Sequence, residues 1–253
     1  MDGVRFERWS GGAGLGFVVL FMAGIVFGFG ALASASGAVG ASQPIPANAE
    51  QMVAVAREAR IGVGASAYLL SLAAVLFVWF SSGVAVALRR GQDGNGGLWM
   101  LVFAGGLLYA AHLLGWTSVL MQAVFMATYV GDNAAASRTA VDVLMRGPYD
   151  KILWANDWMF PGILLLGGTG LSAVSSSALP KWLGRLSLWL AAALIVLAGV
   201  GYITLSPAAW FGFPLFLLVW VPWTSVILLR GAGRRASSTA GMGSTAPIPT
   251  RSA

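Results

Sequence analysis

The chain has 253 residues, of which 58% are hydrophobic and 9% charged, and its mean hydropathy is +0.79. Soluble domains carry about a quarter charged residues, so these charges are too few to coat a water-facing surface and lipid is the expected solvent for much of the chain. There is no cysteine and one histidine, His112, which excludes disulfides, thiolate catalysis, cysteine-bound metals, bis-histidine haem and multi-histidine zinc sites; no metal or cofactor is expected.

A helix crosses ~30 Å of hydrocarbon with ~20 mostly apolar residues. The first such segment runs from Ala13 to Ser36. Ala33-Ser34-Ala35 fits a signal-peptidase pattern. Its apolar stretch, however, exceeds the ~7–15 residues of a signal peptide, and Asp2 and Glu7 balance Arg5 and Arg8, so a retained helix is expected. The second span covers Ile61 to Leu88 and stops at Arg89-Arg90. The following Gly91–Gly97 stretch is dense in turn residues. The third runs from Leu98 to Val130, the fourth from Ile152 to Val174, the fifth from Leu183 to Ile203 and the sixth from Ala208 to Leu229. The last two are joined through Ser206-Pro207, which predicts a tight antiparallel hairpin. The tail, 231–253, is rich in Ser, Gly, Thr, Pro and Ala; it cannot bury a core and reads as disordered. The expectation is an all-α polytopic membrane bundle of about six transmembrane helices, forming a single domain over 1–230.

Basic residues orient these spans. With the N-terminus inside, Arg5, Arg8, Arg89, Arg90, Lys181, Arg185, Arg230, Arg234, Arg235 and Arg251 are cytoplasmic, and Arg57, Arg60, Arg138, Arg146 and Lys151 are outside. The positive-inside rule then places both termini in the cytoplasm, and a plasma membrane is the expected location. The net charge of +6 is a topology signal with membrane lipids as its counter-charge, and nucleic acid is not expected as a partner.

Two outer loops carry helical patterning. Asn48 suits an N-cap for a polar helix reaching Arg60 and flowing into the second span. Ala140, Val141, Leu144 and Met145 share one side of a segment spanning Asn133 to Met145, which reads equally as an interfacial helix or a plain connector. Gly12, Gly16, Gly24 and Gly28 are spaced by four on the first span, a pattern that allows close helix approach; it suits a homo-oligomer or protein-partner face, or, more simply, packing inside the bundle. Trp9, Trp79, Trp99, Trp182, Trp220 and Trp223 fall near cytoplasmic ends and Trp116, Trp154, Trp158 and Trp210 nearer outer ends, as expected of interfacial anchors. Pro161, Pro214 and Pro222 predict local breaks in the helical ladder.

Only one pair of residues suggests a site. His112 lies ~22 Å up the third span, and Asp157 lies about a turn into the fourth from the outer side. The spans run antiparallel, so the two share a depth. Ionisable groups at membrane depth are costly and face the bundle interior or a wet cavity. The expected site is an outward-facing polar pocket of His112 and Asp157 with Trp116, Gln122, Trp154 and Trp158 nearby. The simpler alternative places Asp157 in the headgroup layer and gives His112 one interhelical hydrogen bond.

At the junction of the fourth and fifth spans the chain reads Ser176-Ser177-Ala178-Leu179-Pro180-Lys181-Trp182-Leu183-Gly184. Pro180 restarts the helix, Lys181 faces the inside, Trp182 anchors and Gly184 permits close packing. This resembles the SG-x-LP-x-WLG pattern of the bacterial multi-pass family called domain of unknown function 4386, with Ser177 where that family usually has Gly. The resemblance implies a multi-pass fold and no activity. The functional expectation is a binding, sensing or assembly component, with a small transporter or channel subunit as the alternative. An enzyme is not expected: HExxH is absent, and Ser82 and His112 lie towards opposite ends of their spans, unlike a serine–histidine protease.

Overall fold

The computed structural model describes residues 3–40, 49–91, 97–129, 157–176, 178–204, 212 and 214–242. They form α1 (Gly3–Ala38), α2 (Ala49–Glu58), α3 (Arg60–Gly91), α4 (Leu98–Tyr129), α5 (Met159–Ser175), α6 (Lys181–Thr204), and a π-helical segment (Leu215–Trp220) that runs into α7 (Val221–Met242). Helices α1, α3, α4 and α6 are long and apolar enough to cross a membrane, and α5 and the stretch Leu215–Gly231 are shorter apolar helices. No strand occurs among the described residues.

The order of neighbours is α6, α5, α4, α3, α1, α7, with the π segment also touching α6. Side-chain contacts fix the directions. Glu7 of α1 meets Arg90 at the end of α3, Arg89 lies over the Trp99 ring at the start of α4, and Gly11 of α1 faces Leu229 of α7. Successive long helices therefore alternate, and α1 begins at the same end of the bundle as that to which α7 descends. That end carries Arg5, Arg8, Arg89, Arg90, Lys181, Arg185 and Arg230 and is called the basic end below; α2 lies at the other.

The axis is filled by aromatic rings. Phe17, Phe77, Phe80, Tyr109, Trp158, Phe216 and Trp220 are all buried. Phe77 lies 4.6 Å from Phe17 and 4.6 Å from Tyr109, Tyr109 lies 5.5 Å from Phe216, and Phe216 stacks on Trp220 at 5.6 Å. Each such pair contributes about 0.5–1.5 kcal/mol beyond simple burial. In lipid, where apolar burial no longer separates protein from solvent, this packing is a main source of helix association. Glycines set the crossings. A Cβ on Gly105 would stand 2.6 Å from the Leu165 backbone N, and one on Gly184 would stand 2.9 Å from the Ala173 Cβ. The glycine singled out in the α5–α6 turn thus lies at a close crossing. Pro180 precedes α6, and its carbonyl accepts from the Leu183 N–H at 2.9 Å. Hydroxyls at membrane depth bond back to their own helices, as Thr169 does to the Leu165 carbonyl (2.7 Å) and Ser225 to the Val221 carbonyl (2.8 Å).

Several boundaries differ from those expected. Helix α1 starts ten residues before Ala13, because Glu7 is buried against Arg90 and the charged N-terminal turns stay within the bundle. Helix α5 begins at Met159, and its 17 residues span ~26 Å, short of a full crossing. Helix α7 continues through Met242, so the segment read as a disordered tail from residue 231 begins as helix. Pro222 lacks an N–H and would crowd the Leu218 carbonyl four residues back; the preceding turns widen, and the Val221 N–H reaches the Phe216 carbonyl five residues back. The effect of Pro222 is thus a π segment, whereas Pro161 falls in the first turn of α5 and leaves that helix unbroken. Trp220 and Trp158, expected at the interfaces, are instead buried: the Trp220 indole N–H finds the Ser187 hydroxyl at 2.8 Å, so its polar edge needs no headgroup. The Asn133–Met145 segment, Asn48, Trp154 and Trp210 lie outside the described residues.

Candidate functional site

The site builds on Asp157, immediately before α5. Its Oδ1 accepts a hydrogen bond of 2.5 Å from the Tyr202 hydroxyl, near the end of α6. The imidazole of His112 on α4 stands within electrostatic reach of the same carboxylate. All three side chains are partly buried. Three consecutive helices of the ring therefore contribute one polar group each. A carboxylate, a phenol and an imidazole together offer acceptors and donors for a polar ligand. Among the described residues no group of three or more His, Cys, Asp or Glu could hold a metal ion.

Three of the other expected members go elsewhere. Trp158 turns into the core, edge-on to Tyr109 at 6.4 Å and beside Phe216 at 6.1 Å. Trp116 lines a shallow, open crevice between α1, α3 and α4, with Gly28, Ser66 and Leu120 among its walls. Gln122 is exposed on α4, and Trp154 is not described. Tyr202 was not among the expected site residues. Its signal in the sequence was faint but present: it is the only hydroxyl between Ser187 and Thr204, at the α6 end nearest the start of α5. Among the described residues the cluster joins α4, the start of α5 and α6, without Trp116 and Trp158.

Along α1 the small-residue pattern divides. A Cβ on Gly24 would meet the Leu70 Cγ at 2.8 Å, one on Gly28 the Ser66 Oγ at 2.7 Å, and one on Gly16 the Leu76 Cδ1 at 3.0 Å; at Gly12 nothing lies within 4 Å. Gly16, Gly24 and Gly28 therefore accommodate α3 of the same chain, and the Ser66 hydroxyl donates to the Gly24 carbonyl at 2.7 Å. At the α2 end, Met52, Val55 and Ala56 are buried with Leu32, Val63, Leu120 and Ala123 in a second apolar cluster, and Arg57 Nε donates to the Ala127 carbonyl of α4 at 2.5 Å.

Comparison with protein-family models, with curated proteins and with solved structures finds no match.

Proposed function

We propose that this chain is a six-span protein of a bacterial plasma membrane, with both termini and the basic end in the cytoplasm, that binds or senses a ligand or assembles with a partner through the outward-facing cluster of Asp157, Tyr202 and His112. Kinship to domain of unknown function 4386, suggested by Ser176 to Gly184, belongs to the same reading. The observation that carries it is the Asp157–Tyr202 contact with His112 alongside, an ionisable cluster built from three helices at one end of a bundle whose axis is packed with aromatic rings. A partly buried carboxylate bonded to a phenol on another helix supports a functional reading of this end of the bundle. The packed axis favours a site that receives something at the surface over a path through the bundle.

A small transporter or channel subunit is the second reading, favoured by the partial exposure of Asp157 and Tyr202. Proteoliposomes separate the two. Wild-type protein should pass amines, amino acids and monovalent cations no faster than empty liposomes, while a soluble-compound screen should find ligands that raise the melting temperature of wild type but not of Asp157→Asn. Flux that is present in wild type and lost in Asp157→Asn would transfer the assignment to transport.

A further inference from the structure

At the basic end, Arg5 and Arg8 at the start of α1 are exposed, Arg90 pairs with buried Glu7 at 2.8 Å, and Arg89 lies 5.2 Å over the Trp99 ring. The α6–α7 side carries a second exposed group. Lys181 and Arg185, one helical turn apart at the start of α6, and Arg230 on α7 are exposed, and among the described residues none of the three is ion-paired. The sequence gives them no partner to find nearby, because from Trp158 to Ala253 there is no Asp or Glu.

On the same two helices stands a pair of indoles. Trp182 of α6 and Trp223 of α7 meet edge to face at 6.1 Å and are each about half exposed (49% and 51%). Trp223 and Arg230 are seven residues apart and so share a helix face. Lys181 and Trp182 open α6 beside them. A half-exposed Trp pair marks headgroup depth, since the ring is apolar and its N–H edge wants a polar partner. Unpaired ammonium and guanidinium groups at that depth attract anionic headgroups, and guanidinium forks match phosphate oxygens.

We propose that the α6–α7 junction at the basic end is a binding site for the phosphate headgroup of an anionic phospholipid, with Lys181, Arg185 and Arg230 as counter-charges and the Trp182–Trp223 pair seating the glycerol and upper acyl region. The site is separate from the Asp157 cluster and independent of its function.

Native mass spectrometry of the full chain, released from micelles holding equal phosphatidylglycerol and phosphatidylcholine, tests the assignment. Wild type should retain phosphatidylglycerol preferentially. Each neutralisation among Lys181→Gln, Arg185→Gln and Arg230→Gln should weaken that retention about fivefold, while the charge-conserving set Lys181→Arg, Arg185→Lys and Arg230→Lys preserves it. Arg89→Gln, whose cation is engaged by Trp99, should leave it unchanged. A triple Gln variant that melts like wild type and retains phosphatidylglycerol equally well overturns the proposal. Displacement of the lipid by millimolar inorganic phosphate would overturn the lipid source and point to a soluble phosphate ligand.

Discussion

Asp157 and Tyr202 make the polar contact on which the proposed site depends. Tyr202→Phe removes the donor and keeps the ring, and should lower unfolding free energy by about 1 kcal/mol, read as a lower melting temperature in detergent. The Glu7–Arg90 pair is a harsher test, because Glu7 is only 2% exposed. Removing Arg90 takes a charged partner from a buried carboxylate; with Arg90 itself partly solvated, Arg90→Ala should cost about 2 kcal/mol and Glu7→Gln less. The Thr224 hydroxyl has the opposite sign. It is buried with no hydrogen-bond partner among the described residues, so the isosteric Thr224→Val should stabilise the chain by about 1 kcal/mol. Asp157 and His112 were legible in the sequence because an ionisable group in an apolar run stands out without any knowledge of tertiary structure. Tyr202 was not, since its partner lies 45 residues away and a Tyr near a span end ordinarily reads as an interfacial anchor. The same ambiguity misplaced Trp158 and Trp220. An indole suits an interface or a core equally, and only the neighbour, Ser187 for Trp220, decides which.

Hydropathy located α3, α4 and α6 to within a few residues, because length and apolarity are what the bilayer demands. It failed where a helix is held by something else. The first turns of α1 are charged, and Glu7 keeps them in register through a partner on α3. The π segment depends on how the turns before Pro222 redistribute their hydrogen bonds, which composition does not encode. Helix α2 was visible as a helix but not as a cap. Its burial of Met52 against Leu120 and Ala123 predicts that Met52→Ala costs about 2 kcal/mol and raises hydrogen exchange across Ala49–Glu58 before the rest of the bundle is affected. The glycines make a matched pair of tests. Gly105→Ala forces a methyl group against backbone at the α4–α5 crossing and should destabilise by about 2 kcal/mol. Gly12→Ala meets open space and should stay within about 0.5 kcal/mol; a change in oligomeric state from Gly12→Ala alone would instead assign that position to a contact between copies.

At the scale of the whole molecule, the alternation of helices puts the start of α1 and the descent of α7 at one end, which the proposed topology turns to the cytoplasm. A chain without cysteine is convenient for the test. Asp2→Cys and Ser252→Cys should resist a membrane-impermeant maleimide in intact cells and react after permeabilisation, whereas Asp150→Cys should react in both; the reverse pattern would invert the proposed topology.

The ring order has a consequence for biosynthesis. Gly11 and Gly14 of α1 pack against Ser225 of α7, so the earliest of these helices to be translated must wait for the latest before its seam is covered. Until then α1 presents a strip of small residues, and Phe80 beside it lacks the edge-to-face contact with Trp220. A nascent chain stalled before α7 thus displays an unfinished seam along its first helix, a surface by which membrane quality-control proteases could tell incomplete molecules from finished ones.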